Sequence, residues 1–371
     1  MCSIKSPICT GRNAFEQTLH FGLYPRHERK SLDTLCISAI LEKCTVKSFK
    51  DMTVLVTGGA GFIGSHITDY LMNDGAHVRV IDDMSNGSEE NYAQWKENSK
   101  FEIVIGDLRS REVVAEVVKD VSVVFHEAAK VSVPVSVRDP ESTLDVNVRG
   151  TTILLDECRK AEIEKIVVAS SSSVYGDTPS LPKVESMRTQ PISPYGVSKL
   201  GEESLAVAFH RTYGLNTTAL RYFNVYGPRQ RGGSYAGVIS IFMKNSLSGK
   251  DIPIEGDGEQ TRDFTYVTDV AKANVRAAVS GNTRGKIYNV GSGSSITINS
   301  LADLIIELAH SDSKKVYLPP RAGDVHDSLA STEDLLADTE YQPSTDIRTG
   351  LSNTLDWVRE SLDIKQGTEI P

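Results

Sequence analysis

From Thr53 onward, short runs of β-branched and apolar residues alternate with longer stretches whose apolar positions recur at helical spacing. The runs are Thr53–Thr57, His77–Asp82, Phe101–Gly106, Val121–Glu127, Lys165–Ser171 and Asn216–Tyr222. Each is apolar largely at consecutive positions, as a strand buried on both faces must be. Strand and helix in alternation predict an α/β fold, a doubly wound parallel sheet built from these six strands. After Arg221 the pattern breaks into Gly- and Pro-containing segments around 227–233 and 249–258. Helical periodicity returns near Thr268–Ser280, Ile298–Ala309 and Asp346–Ser361. The decay predicts a second, smaller lobe. There is no internal repeat, heptad array or low-complexity tract.

Composition changes this picture mainly at the start of the chain. Residues 1–51 carry eight Lys/Arg against five Asp/Glu, a balance of +3, which leaves −12 for the rest of a chain whose total is −9. That shift predicts a poorly ordered extension, with Met52 as an alternative translation start. Peptides from before Met52 in a mass spectrum of the native protein would overturn the second reading. Four of the five cysteines, at 2, 9, 36 and 44, lie in the extension, and only Cys158 lies in the body. Their gaps do not match a zinc site, so they are read as reduced and non-catalytic, with no metal expected. The acidic balance argues against nucleic acid or an anionic membrane as a partner. The apolar run Leu35–Leu41 is too short to span a bilayer, and nothing later approaches the roughly 20 residues needed. A soluble, cytoplasmic protein is expected.

The first chemical signal follows the first strand: Gly58-Gly59-Ala60-Gly61-Phe62-Ile63-Gly64. Glycines there permit a tight turn and close backbone approach to a diphosphate, and the helix that follows supplies N–H groups and dipole. A glycine-rich match alone can be a mere turn. Here an acid, Asp82, also stands at the end of the second strand, 18 residues past Gly64, where a carboxylate can accept from an adenosine ribose diol. With Asp83 beside it and no arginine nearby, NAD is expected rather than NADP. Asp107 and Leu108, after the third strand, and Ala128 and Ala129, after the fourth, fall on the same carboxyl edge.

Tyr195 and Lys199 open a helical stretch four residues apart, so both project from one face. Taken alone this spacing also fits a solvated helix surface. As a pair, an ammonium beside a phenol favours the phenolate and lets the phenol act as a base. Ser171, Ser172 and Ser173 end the fifth strand and bring hydroxyls to the same edge.

Together these motifs closely resemble the extended short-chain dehydrogenase/reductase family over 52–360, with a Rossmann sheet. Further segments resemble its nucleotide-sugar epimerase branch: His126-Glu127-Ala128-Ala129, Arg221-Tyr222-Phe223-Asn224-Val225-Tyr226-Gly227-Pro228, Gly256–Asp263, and Arg321-Ala322-Gly323-Asp324. The resemblance implies Ser171 as catalytic serine, Tyr195 as base, Lys199 as ligand of the cofactor ribose, and Tyr222 near the nicotinamide. It implies that Asn224, Gln230, Arg262, Arg321 and Asp324, with Ser132 and Ser172, hold a UDP-sugar. Two guanidinium groups suit a diphosphate. It further implies a homodimer, an NAD-binding unit of 52–225 completed by parts of 265–310, and a sugar-binding lobe of 226–264 and 311–371. The implied reaction is inversion at C4 of a UDP-hexose through transient oxidation.

Dehydrating or decarboxylating relatives carry an acid just before the Tyr-Gly pair of the serine segment, where this chain has Ser173-Val174. UDP-glucuronate epimerisation or decarboxylation is therefore the second reading, and a non-catalytic NAD-binding sensor the third. Ser328 matches the position whose bulk gates N-acetylated sugars. A small residue there implies UDP-GlcNAc and UDP-GalNAc as substrates beside UDP-glucose and UDP-galactose.

Overall fold

The computed structural model describes residues 48–230, 237–320 and 326–367, the last five of these in backbone only. Arg321 and Asp324 lie outside the described residues, as does the extension up to residue 47. The central sheet has seven parallel strands: β1 (Thr53–Thr57), β2 (His77–Asp82), β3 (Phe101–Ile105), β4 (Val123–His126), β5 (Lys165–Ser171), β6 (Thr217–Tyr222) and, from further along the chain, β11 (Lys286–Val290). Their spatial order is β11-β6-β5-β4-β1-β2-β3.

Consecutive apolar residues of one strand serve two cores. In β1, Val54 and Val56 face a cluster with Ile67 and Leu71 of helix α1 (Phe62–Asn73), while Leu55 faces Val114, Val117 and Leu154 on the other side. Helices α2 (Arg111–Val117) and α5 (Gly150–Lys160) cover that second face; α3 (Val133–Arg138) and α4 (Pro140–Leu144) precede α5. Each aliphatic side chain so enclosed contributes about 1.5–3 kcal/mol relative to exposure. The long helix α6 (Pro194–Tyr213) begins where Ser193 caps it, its hydroxyl accepting from Gly196 N at 3.1 Å, with Pro194 in the first turn. It ends at Gly214, whose φ of +76° provides the left-handed stop.

The strand β11 was not among the six predicted runs. Its sequence, Lys-Ile-Tyr-Asn-Val, is broken by an exposed Lys286 and by a buried Asn289 that bonds Tyr175 and the Lys183 and Ser331 carbonyls, so the criterion of a continuous apolar run passes over it. The helix before it, α8 (Val267–Val279), packs against α1 on the first face.

A separate apolar cluster joins Ile239, Phe242 and Met243 of α7 (Val238–Leu247) to Leu301 and Ile305 of α9 (Ile298–Ala309) and Leu351 and Leu355 of α11 (Ile347–Gly367). Around it stand three two-stranded ribbons: β7 (Val225–Tyr226) with β10 (Thr265–Tyr266), β8 (Ile252–Glu255) with β13 (Lys315–Leu318), and β9 (Thr261–Arg262) with β12 (Ile296–Thr297). Helix α10 (Glu333–Thr339) packs beside β11.

The residues just before the expected boundary at 51 and 52 already pack against the sheet. Phe49 is 1% exposed and meets Phe125 of β4 edge to face at 6.0 Å between ring centroids. A chain begun at Met52 would lack this ring.

Candidate active site

Strand order reverses between β1 and β4, which share a border although β2 and β3 run away on the other side. The carboxyl ends of such strands leave a crevice, and the predicted residues gather there. Gly58 leaves β1 with φ +67°, and a Cβ on it would stand 2.8 Å from the Ala128 backbone; one on Gly64 would stand 2.3 Å from the Gly58 carbonyl oxygen. Only glycine fits either place. Helix α1 then starts at Gly61 with no side-chain cap and no acid in its first turn, leaving N–H groups and dipole open to an anion. Phe62 and Ile63 form that first turn. These features fit a dinucleotide diphosphate.

Asp82 is 7% exposed, and it also braces the cradle: Oδ2 accepts from Ala60 N at 3.0 Å and Oδ1 from Met84 N at 2.9 Å. Asn91, which the sequence reading missed, donates to the Ala60 carbonyl at 2.8 Å from the turn after β2. Beyond β4, Ala128 N donates to Thr57 Oγ1, and Ala129 follows it. Asp107 and Leu108 follow β3 at the same carboxyl edge. The Asp107 carboxylate is engaged by Arg109, which also reaches Asp145 and holds it below the usual carboxylate range, while Leu108 is buried in the second-face core.

Ser171, Tyr195 and Lys199 do come together. The Tyr195 side chain hydrogen-bonds Ser171, and its backbone N–H donates to Ser136 Oγ of α3 at 3.1 Å. Lys199 is 3% exposed, its ammonium donating to the Ala169 carbonyl at 3.0 Å and to Glu202 Oε2 at 2.9 Å. Burial raises the Tyr195 hydroxyl above its ordinary range; Lys199 and Ser171 oppose this, and Glu202 and Glu127 add to it. Burial alone would lower Lys199, but Glu202 and Tyr195 outweigh it and keep the ammonium protonated. Ser198 donates to the Tyr195 carbonyl at 2.8 Å and accepts from Asn147 Nδ2 at 2.8 Å, which locks the first turn of α6. Asn147 lies in a π-helical turn, Asp145–Arg149, and had no sequence signal beyond a polar residue on a buried face.

Tyr222 closes the other side. Its hydroxyl donates to Glu127 Oε1 at 2.7 Å and accepts from Asn274 Nδ2 at 2.8 Å. Burial pushes the Glu127 carboxyl up to about 7 against the pull of Tyr222 and Lys199. His126, beside it, is driven down to about 3 by burial and then by Lys199, and bridges Thr57 and Thr151 as a neutral ring.

The residues assigned to a sugar nucleotide form a looser set. Asn224 donates to Ser328 Oγ at 3.3 Å and to the Asp263 carbonyl at 2.9 Å. Asp263, unforeseen, is fully buried and accepts from Ser292, Gly293 and Ala330, tying two loops to one carboxylate. Arg262 donates to the Thr261 and His326 carbonyls, both at 2.8 Å. Gln230 donates to the Val225 carbonyl and accepts from Ser240. Ser132 caps α3 by accepting from Val135 N, and Ser172 opens a 3-10 turn in which the Ser173 hydroxyl is buried without a hydrogen-bond partner among the described residues.

The model of the NAD dependent epimerase/dehydratase family matches residues 54–291. The chain is similar to a UDP-glucose 4-epimerase of Mycolicibacterium smegmatis, 36% identical over 83% of this chain and 99% of the relative. Among solved structures it resembles the UDP-glucose 4-epimerase of Thermotoga maritima with UDP-glucose, at 37% identity and a TM-score of 0.80, covering 84% of this chain and all of that one. It equally resembles the UDP-N-acetylglucosamine 4-epimerase of Methanobrevibacter ruminantium in complex with UDP-N-acetylmuramic acid, at 40% identity and a TM-score of 0.80, covering 84% and 99%. A nucleotide-sugar decarboxylase and 4,6-dehydratases also match, at 33% identity and below. With the glycine cradle and the Ser171–Tyr195–Lys199 cluster already in view, the conclusion is that this chain belongs to the NAD dependent epimerase/dehydratase family, as an enzyme whose cofactor is NAD.

Proposed function

We propose that the enzyme inverts C4 of a UDP-hexose, interconverting UDP-glucose with UDP-galactose and UDP-GlcNAc with UDP-GalNAc. The observation that carries this reading is the meeting of Ser171, Tyr195 and Lys199 at the sheet edge beside the glycine cradle, in a serine segment that holds Ser173-Val174 and no acid. Tyr195 Oη takes the proton of the C4 hydroxyl, and Ser171, already bonded to it, orders that hydroxyl. Lys199 stabilises the phenolate and reaches the cofactor ribose. NAD, when bound, supplies the hydride acceptor and then the donor. The adenosine ribose diol falls to Asp82, and the diphosphate of the cofactor to the turn Gly58–Gly64.

The UDP-sugar is held from the lobe of 226–264 and 311–371, with Arg262 and Arg321 on its diphosphate and Asn224, Gln230 and Asp324 around it. Firm grip on the diphosphate leaves the hexose free to turn, which return of hydride to the opposite face requires. No carboxylic acid stands at 173 or 174 to drive elimination, which favours epimerisation over dehydration.

Incubation with UDP-glucose and, separately, UDP-GlcNAc, without added reductant and followed by proton NMR, should yield both 4-epimers. Conversion of UDP-glucuronate alone would move the substrate to the second reading and leave fold and cofactor intact. Acceptance of an N-acetyl group is supported by the small side chain of Ser328 beside Asn224. Ser328→Tyr is expected to abolish N-acetylhexosamine turnover while sparing UDP-glucose; equal turnover of both would remove Ser328 from the specificity account.

A further inference from the structure

Glu202 and Glu203 are neighbours on α6, both buried, with different surroundings. Glu203 is saturated: Arg221 binds both its oxygens, at 2.7 and 2.8 Å, and Ser170 donates to one of them. Glu202 is 0% exposed, and its Oε2 receives the Lys199 ammonium at 2.9 Å. Its Oε1 is buried with no hydrogen-bond partner among the described residues. A carboxylate with half its acceptors idle is costly to bury, and its only polar contact there is with Lys199.

We propose that Glu202 is a positioning residue for the reaction: it pins the Lys199 ammonium against the Ala169 carbonyl, and its charge sets how strongly that ammonium acts on the Tyr195 hydroxyl. The proposal rests on Tyr195 as the base. Lys199 lies on the same helix as both, so the three groups form one electrostatic unit. The other ionisable groups facing it are Glu127 at the exit of β4, which acts on Tyr195 and Lys199 alike, and His126, held neutral. Tyr222 bonds Glu127 from β6, and Ser171 and Ser136 face Tyr195 as neutral hydroxyls. Lys199 favours the phenolate; an ionised Glu202 cancels part of that influence, and Glu127 does so from the other side. Burial pushes the Glu202 carboxyl up to about 7 against the pull of Lys199, so the cancellation fades as Glu202 takes up a proton below neutrality.

The test uses the full-length NAD-loaded protein and Glu202→Gln, which keeps the shape and an acceptor for Lys199 while removing the charge. The phenolate absorbance of Tyr195 is read across pH as the difference between each protein and its Tyr195→Phe counterpart, without substrate. With Tyr195 and Glu127 still opposing the desolvation of Lys199, its ammonium persists in Glu202→Gln, and the phenolate is expected at lower pH there than in the wild type. The acidic limb of kcat for a UDP-sugar should move the same way, with kcat several-fold above wild type on the part of that limb above about pH 7, where Glu202 is ionised, the two proteins converging below it, and KM unchanged. An unmoved phenolate titration, or a loss of kcat that is equal at every pH, would overturn the proposal. Glu202→Met, which fills similar volume without an acceptor, must shift the phenolate in the same direction, so a folding defect in one variant leaves the other to decide. Failure of Tyr195 as base would show separately, as turnover surviving in Tyr195→Phe.

Discussion

Two buried lysines stand near opposite ends of β5. Lys165 begins the strand at 3% exposure, donating to Thr218 Oγ1 at 2.6 Å, Thr283 Oγ1 at 2.8 Å and Asn216 Oδ1 at 3.2 Å. No carboxylate bonds it among the described residues. Burial, with Arg284 adding to it, pushes its ammonium down to about 7. Lys199 reaches the other end, at Ala169, equally buried, yet it stays protonated because Glu202 and Tyr195 outweigh the same desolvation. The difference lies in the partners and not in the burial. Neutral oxygens can satisfy the hydrogen bonds of a buried amine, but only opposing charge preserves its cation in that setting. The amino edge of the sheet therefore holds a lysine suited to tying strands together, and the carboxyl edge one suited to acting on a phenol.

Replacing each lysine by methionine tests the contrast most sharply. Lys199→Met should lower kcat by ~10²–10⁴-fold, the span usual for loss of acid–base chemistry, whereas Lys165→Met should leave steady-state kinetics near wild type. Comparable losses in both would erase the distinction.

The adjacent glutamates extend it. Breaking a saturated buried pair costs about 3–5 kcal/mol, so Glu203→Gln, which strands Arg221, should lower the denaturant midpoint clearly. Glu202→Gln should change that midpoint much less and change the pH profile instead.

A further expected effect lies in the pH dependence of stability. The folded value of Lys165, about 7, is below its ordinary 10.5, so the unfolded chain binds the extra proton between them. Wild-type stability should accordingly rise as pH climbs from about 7 toward 10 and gain nothing from this group below 7. Lys165→Met should lack that rise in urea titrations at matched pH; an identical slope would mean Lys165 is not desolvated as described.

Much of this was legible in sequence because the relevant constraints are local. The turn at Gly58–Gly64 admits only glycine at its tight points, the acid at 82 ends a strand, and Tyr195 and Lys199 share a helix face by spacing alone. Strand β11 escaped because its buried Asn289 is satisfied by Tyr175 and the Lys183 carbonyl, both remote in sequence. Phe49 escaped because its burial depends on Phe125, remote in sequence. Asp107 sits at the expected edge, but no spacing rule reveals that Arg109, two residues on, pairs with its carboxylate. Asn147, Asp263 and Asn274 act by satisfying groups from distant segments, and Glu202 gains its meaning only once Lys199 is seen to be enclosed.

The proposed reaction is a transient oxidation at C4, with Tyr195 moving the proton and the same hydrogen returned to the same carbon. Its most direct test supplies UDP-glucose deuterated at C4 to the NAD-loaded enzyme in ordinary water and follows the product by NMR. The prediction is UDP-galactose that retains deuterium at C4, with no such product from Tyr195→Phe. Loss of the deuterium to solvent, or absence of the 4-epimer from every UDP-hexose offered, would contradict it.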